Sequence, residues 1–377
     1  MRKKILALTT FSGTIIGVGL FSLPFVTAQI GFIPMFFYFI ILGAVVMMMH
    51  LLYGEIVTRT IGNHRLPGYS KIYLNKGTEF IAYVTTFIGL TGALLAYIIV
   101  GGEFLANLLI PIFGGTSLSY ILIFFTAGTF LVYFGAGPIS KTEFLSLGIF
   151  FTVLALLFFK ALPHIELSNF TSISFDIKNY FLPYGVILFS LGGLAIIPEI
   201  KEILKSEEKS MKKIIIWGSV TPILAYIIFV ITVFGVTGAA TTKEGMIGLN
   251  LALGNGIVHL GFMFGILTTF TSFITLGVSL KKEFRYDLGL PAWLAWILAC
   301  FPAIILFMLG FRQFINIIGF IGAVTMGIDI TIISLIYLKA RKKSQRIPSY
   351  QIKIPDFAVY ILIVLFLVGV ALQLVSL

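Results

Sequence analysis

Apolar stretches of about twenty residues recur from one end of this 377-residue chain to the other, with only short polar segments between them. Each stretch is long enough to cross a ~30 Å hydrocarbon core as a helix. Backbone at that depth must satisfy its own hydrogen bonds, so the chain reads as an all-α polytopic membrane protein. Its composition agrees, at 59% hydrophobic and 11% charged, and no connecting segment is long enough to hold a soluble domain. The single cysteine, Cys300, excludes an intramolecular disulfide and reads as a small packing residue.

Eleven spans are predicted, at about 5–29, 34–58, 80–110, 118–135, 141–162, 180–204, 213–236, 247–280, 291–309, 314–338 and 356–376. The net charge of +11 could be taken for a nucleic-acid partner. The basic residues instead lie in the segments between spans, where the positive-inside rule puts them. With the N-terminus in the cytoplasm, only Lys160, Lys178, Lys243 and Arg312 of the 26 basic residues fall on the outer side. This places the chain in the plasma membrane with its C-terminus outside, and with no nucleic-acid partner. Arg2, Lys3 and Lys4 followed by an apolar run resemble a signal peptide, but no small-residue cleavage site follows.

One pattern occurs twice, each time within a predicted span. Gly19-Leu20-Phe21-Ser22-Leu23-Pro24 and Gly193-Leu194-Ala195-Ile196-Ile197-Pro198 both fit Gly-Leu-x-x-aliphatic-Pro, with further glycines at Gly17 and Gly192. Glycine and proline both weaken a helix, and broken backbone at bilayer depth survives only beside protein or a cavity. The breaks fall in spans 1 and 6. That implies two inverted five-span halves, about 5–162 and 180–338, with an extra span at 356–376, all in one transmembrane domain over residues 1–377. Broken helices at corresponding places in two halves mark the substrate site of a secondary transporter.

The first break, Gly13 to Pro24, resembles the first-helix signature of the amino acid–polyamine–organocation superfamily. The better match within it is the amino acid/auxin permease branch and the aromatic and hydroxy amino acid permeases. Phe189 to Glu199 resembles the sixth-helix break of that branch. Tyr133-Phe134-Gly135 with Ile139-Ser140-Lys141 resembles its fourth-to-fifth turn, and Thr271-Ser272-Phe273 with Leu276-Gly277 its eighth helix. The resemblance spans nearly the whole chain. It implies a leucine-transporter-type fold and secondary amino acid transport.

A zwitterion entering a membrane protein needs replacements for water at both charged ends. The N–H groups of Gly17, Val18 and Gly19 open the second half of span 1 and suit a carboxylate. Carbonyls freed at the ends of the first half-helices suit an ammonium: Ile15 and Ile16 in span 1, Phe189 and Ser190 in span 6. Gly192 and Gly193 leave room for a medium or large neutral side chain. Neither break carries a charged residue, which argues against cationic or acidic substrates. The resemblance puts a span 3 side chain over the substrate, here Tyr97; the alternative is a tyrosine packed in the bundle.

The resemblance also implies a sodium site between spans 1 and 8. By position its ligands are the carbonyls of Gly13 and Ile16, a carbonyl near Thr268, and the hydroxyls of Thr271 and Ser272. Oxygen-only ligation suits a hard cation, although such hydroxyls also bond their own helix. Some proton-coupled relatives use a span 5 lysine instead; here only Lys160 is available, near the outer end. Asp329 and Glu103, then His259 and His50, are the intramembrane groups that could carry a proton, or Asp329 could tie two helices. Glu55 and Glu199 are expected to latch the inner end. Asn63 to Gly77 is expected at the inner surface.

No P-loop, metal-ligand spacing or Gly-x-Ser-x-Gly elbow is present, so an enzyme is not expected. The function expected is an ion-coupled symporter of a neutral amino acid, working by alternating access with Na+ or H+. The other readings are a nutrient receptor of transporter form and a passive channel.

Overall fold

The computed structural model describes residues 2–135, 139–171, 180–243, 245–253 and 255–375, and every element among them is a helix. In chain order these are α1 (Arg2–Ile15), α2 (Gly19–Ile30), α3 (Phe32–Arg59), α4 (Leu66–Tyr73), α5 (Lys76–Phe113), α6 (Ser117–Phe134) and α7 (Ile139–Ala161). Then come α8 (Ser168–Thr171), α9 (Leu182–Ser190), α10 (Ile197–Leu204), α11 (Met211–Thr237), α12 (Met246–Leu253) and α13 (Asn255–Tyr286). The last are α14 (Ala292–Met308), α15 (Phe314–Phe320), α16 (Met326–Lys342) and α17 (Asp356–Val375). Lys178, Ser376 and the residues between Gly135 and Ile139 lie outside the described residues.

Among the described residues, eight helical stretches are long and apolar enough to cross a membrane, or nine with α1 and α2 counted as one bent span. By that measure Leu182–Ala240 runs together as one stretch, and α14 falls short at 17 residues. α1 and α2 meet at 46°, at the first glycine motif. At the second, α9 stops at Ser190, and a 3₁₀ turn at Leu194–Ile196 leads into α10. Both breaks fall at their predicted glycines.

Local chemistry explains several ends. Asn75 and Thr78 form a reciprocal capping box that starts α5. At 38 residues α5 is about 57 Å long, nearly twice the hydrocarbon thickness, so it tilts or projects. Lys201 donates to the carbonyls of Val57, Thr60 and Gly62 (3.1, 3.1 and 2.9 Å), closing the end of α3. Lys281 does the same for α6 through Val132 and Tyr133 (3.2 and 2.6 Å). A cation at a helix C-terminus meets orphan carbonyls and the negative dipole end.

α17 buries Val359, Phe366, Gly369 and Val370 and half-buries Leu362 and Ile363 against the bundle, while most of its other apolar residues face outward, as lipid-facing residues should. The 63–77 segment is expected at the inner surface from its charge. It contains α4, whose Leu66, Tyr69, Ser70 and Tyr73 are buried against the bundle. Its basic residues masked an apolar face set at helical spacing.

Between α15 and α16 the helix winds a π turn at Ile321–Thr325, where the Met326 N–H reaches back five residues to the Ile321 carbonyl. Here α9 approaches backbone to backbone. A Cβ on Gly322 would collide with the Gly185 carbonyl oxygen, and one on Gly185 with that of Gly319. Small residues allow this approach between membrane helices.

Candidate functional site

The two breaks lie against each other at the centre of the bundle. A Cβ on Gly19 would strike Ser190, and one on Gly193 would strike Phe11 and Ile15. A Cβ on Gly17 would strike the Tyr97 ring and hydroxyl. The glycines therefore have a packing role as well as conformational freedom. Valine at Gly17 would displace Tyr97 whether or not a ligand binds there, so that substitution alone does not diagnose a ligand contact.

At the first break, Gly17 donates to the Ile15 carbonyl (2.7 Å), and Leu20 and Phe21 donate to Gly17 and Val18 (3.3 and 3.1 Å). The N–H groups of Val18 and Gly19 take no backbone partner among the described residues. At the second break, the Gly193 N–H donates to His50 Nε2 (3.1 Å). That nitrogen is therefore unprotonated, and Nδ1 donates to Ser219 Oγ (3.0 Å). Buried His50 thus serves as an uncharged tie between α3, α11 and the second break.

Tyr226 on α11 was not singled out by sequence reasoning, yet it joins the breaks. Its hydroxyl lies 2.5 Å from the Ile15 carbonyl and 2.8 Å from that of Ser190. A phenol has one proton to donate; the Ile15 carbonyl also accepts from Gly17, whereas no backbone donor reaches the Ser190 carbonyl among the described residues. The available signal was a lone tyrosine in the middle of an apolar span, since a buried phenol normally has a partner. Tyr226→Phe should destabilise the protein by about 1–3 kcal/mol, the cost of stranding the buried Ser190 carbonyl. Thermal unfolding in detergent would register this, and an unchanged transition would show that the hydroxyl ties nothing.

A cavity of about 100 Å³ opens beside the breaks, enough for several waters or a small solute. Of the predicted substrate residues, Ile15, Gly19, Tyr97, Phe189, Ser190, Gly192 and Gly193 line it. Ile16, Gly17 and Val18 do not, and Gly17 packs behind Tyr97. Asp329 lines the cavity and accepts a hydrogen bond from Thr85, while Glu103, further along α5, does not reach it. Arg65 and Glu283, both missed from the sequence, line it too.

The five residues of the predicted ion site cluster. A separate hole of about 10 Å³, close to the size of one water, is lined by Gly13, Ile16, Thr268 and Thr271. Ser272 Oγ lies 3.4 Å from the Gly13 carbonyl. Ser146 on α7 adds a buried hydroxyl with no hydrogen-bond partner.

At one end of the cavity, Arg65 and Lys282 clamp Glu199 and Glu202. Arg65 reaches them at 2.5 and 3.0 Å, and Lys282 at 2.5 and 3.1 Å. Burial pulls the Arg65 pKa down, and Glu199 and Glu202 more than reverse this, holding it above its ordinary value. Glu55 pairs instead with Arg59 (2.7 Å) and accepts the Ile352 N–H (2.6 Å).

A solved structure of Mhp1, a nucleobase-cation-symport-1 family transporter in a closed conformation with bromovinylhydantoin bound, superposes with TM-score 0.70 at 13% identity. The match covers 99% of this chain and 91% of that one, and establishes the leucine-transporter-type fold. The tyrosine-specific transport system 1 of Haemophilus influenzae is 25% identical, over 92% of this chain and 91% of its own. Glutamine transporter 2 of Aliivibrio fischeri is 22% identical, over 88% of each chain. Fold and relatives together define a multi-pass membrane protein that is a secondary transporter of small molecules, not an enzyme. The tryptophan/tyrosine permease family matches residues 1–375, and the chain belongs to that family.

Proposed function

We propose that the protein is a plasma-membrane symporter that imports a neutral amino acid by alternating access. The observation that carries this is the unfilled hydrogen-bonding capacity at the breaks. Gly19, which lines the cavity, offers an N–H for a carboxylate with that of Val18 just behind it, and the Ser190 carbonyl, which shares the Tyr226 proton with that of Ile15, can accept from an ammonium. No ionised side chain belongs to either break, which suits a neutral side chain. Two relatives are named for tyrosine and glutamine, both neutral. Tyr97 is assigned as the lid. The topology assigned is eleven spans, in inverted halves 5–162 and 180–338 plus 356–376, with the N-terminus cytoplasmic and the C-terminus outside.

Sodium is assigned to the hole between α1 and α13, with the carbonyls of Gly13, Ile16 and Thr268 and the hydroxyls of Thr271 and Ser272 as ligands. The unpartnered Ser146 hydroxyl supports this reading. The test is uptake of tritiated tyrosine and glutamine by purified protein in liposomes, with inward sodium and proton gradients imposed separately. Thr271→Ala combined with Ser272→Ala should raise the sodium concentration for half-maximal uptake by at least about tenfold, losing two of five oxygens. Sodium-independent uptake in the unmodified protein would remove the ion assignment. A proton-coupled form is the second reading, because Asp329 faces the cavity.

A further inference from the structure

Below the breaks the cavity runs past Thr86 and Ser279 to a chamber walled by α4, α5, α13 and α16, where Arg65, Glu283 and Asp329 line it. Asp329 is held from α5 by the Thr85 hydroxyl, which also lies 3.1 Å from the Ile81 carbonyl. Glu283 is 2% exposed, yet its Oε1 has no hydrogen-bond partner. Thr86 Oγ1 and Arg65 Nε, both on residues that line the cavity, are equally unmatched, as are the Tyr69 and Tyr83 hydroxyls outside its lining. Buried polar atoms are nearly always paired, and a group of orphans about one cavity is what a chain of waters would complete.

The charges there do not balance. Arg65 also acts on Glu283, but it and Lys282 are already shared by Glu199 and Glu202. Asp287, also acting on Glu283, has His64 at 3.8 Å and the Arg65 backbone N–H at 3.2 Å. Tyr53 and Tyr83 face Glu283 from α3 and α5 and bring no positive charge. No further cation among the described residues lines the cavity to balance Glu283 and Asp329. Two carboxylates facing one low-dielectric space cannot both stay ionised without one, and a proton from the chamber's water can take its place.

We propose that Glu283, with Asp329 across the cavity, binds the proton that accompanies the substrate. The carboxylate takes one proton when the cavity faces outward and returns it to water when the inner end opens. Asp329 supplies a second acceptor, so the proton is shared between α13 and α16, and Thr85 can then turn its hydroxyl to the Ile81 carbonyl. The inference rests on the proton-coupled form of the transport reading.

The test uses full-length protein in liposomes with tritiated tyrosine and glutamine and a trapped pH-sensitive dye. Two reactions are compared: accumulation driven by a pH gradient, and exchange of internal for external amino acid with no gradient. Glu283→Gln should lose gradient-driven accumulation and the dye signal by a far larger factor than it lowers exchange. Glu283→Asp should restore accumulation with a displaced pH profile. Accumulation by Glu283→Gln equal to the unmodified protein overturns the proposal. So does loss of exchange and accumulation together that Glu283→Asp does not rescue, which would mark a structural role. Sodium-driven accumulation without proton movement in the unmodified protein overturns the proton site and leaves the transporter reading standing. Absence of both uptake and exchange in the unmodified protein removes the transporter reading itself.

Discussion

Replacing Arg65 by glutamine should open the end of the protein assigned to the cytoplasm. Arg65 stands at the head of α4, and its guanidinium holds Glu199 and Glu202, both on α10, while Lys282 holds the same two carboxylates from α13. The cluster therefore spans three elements that must separate if the cavity is to empty inward. Removing one partner of a buried pair commonly costs about 3–5 kcal/mol. Lys282 remains in the variant and the carboxylates are 12% and 20% exposed, so about 2–3 kcal/mol is expected. That shifts the closed-to-open ratio about 30- to 150-fold. The reporter is Ser279→Cys in the cavity wall, with the buried native Cys300 changed to serine. Labelling by a membrane-impermeant thiol reagent from the inner side should accelerate by up to that factor in Arg65→Gln. An unchanged rate would show that the cluster decorates the surface without latching it.

The second large effect is expected at Gly322. A Cβ there meets the carbonyl of Gly185 and, at 2.7 Å, the amide nitrogen of Phe189, all backbone atoms of α9. Backbone cannot rotate aside as a flexible side chain can. Gly322→Ala should destabilise by about 1–3 kcal/mol or more through overpacking, and Gly322→Val should fail to accumulate as folded protein. Gly148 is the control: nothing lies within 4 Å of its added Cβ, and it sits inside α7. Gly148→Ala should be neutral or stabilising by up to about 1 kcal/mol from helix propensity. Equal melting shifts for the two alanine variants would remove the packing argument.

The breaks were legible in the sequence because glycine and proline act locally, through the backbone of their own turn. Gly17–Gly19 and Gly192–Gly193 needed no partner to be recognised. The start of α5 was not predicted, although Asn75 and Thr78 carry the signal within four residues. Tyr226 and Glu283 were missed for a different reason. Their roles exist only through residues far away in the chain, Tyr226 through Ile15 and Ser190, Glu283 through Arg65 and Asp329. In a chain this apolar, periodicity cannot say which face of a span looks inward: α6 buries Tyr120, Phe124 and Val132 but exposes Phe130 and Phe134, all of similar character. The burial of α4 was hidden by the basic residues around it.

The π turn at Ile321–Thr325 gives the chain a dependence on winding rather than on chemistry. It winds one residue more than an α-helix would need before α16 begins. The extra residue is absorbed within the turn, so α16 keeps the face it would have after an α-helix one residue shorter. Rewinding the same residues as a continuous α-helix would instead rotate α16 by about 100° relative to α15. Asp329 would then leave the cavity wall and Thr85 would lose its partner, although neither residue had changed. Winding through the turn is thus a character to be read before residue identity beyond it.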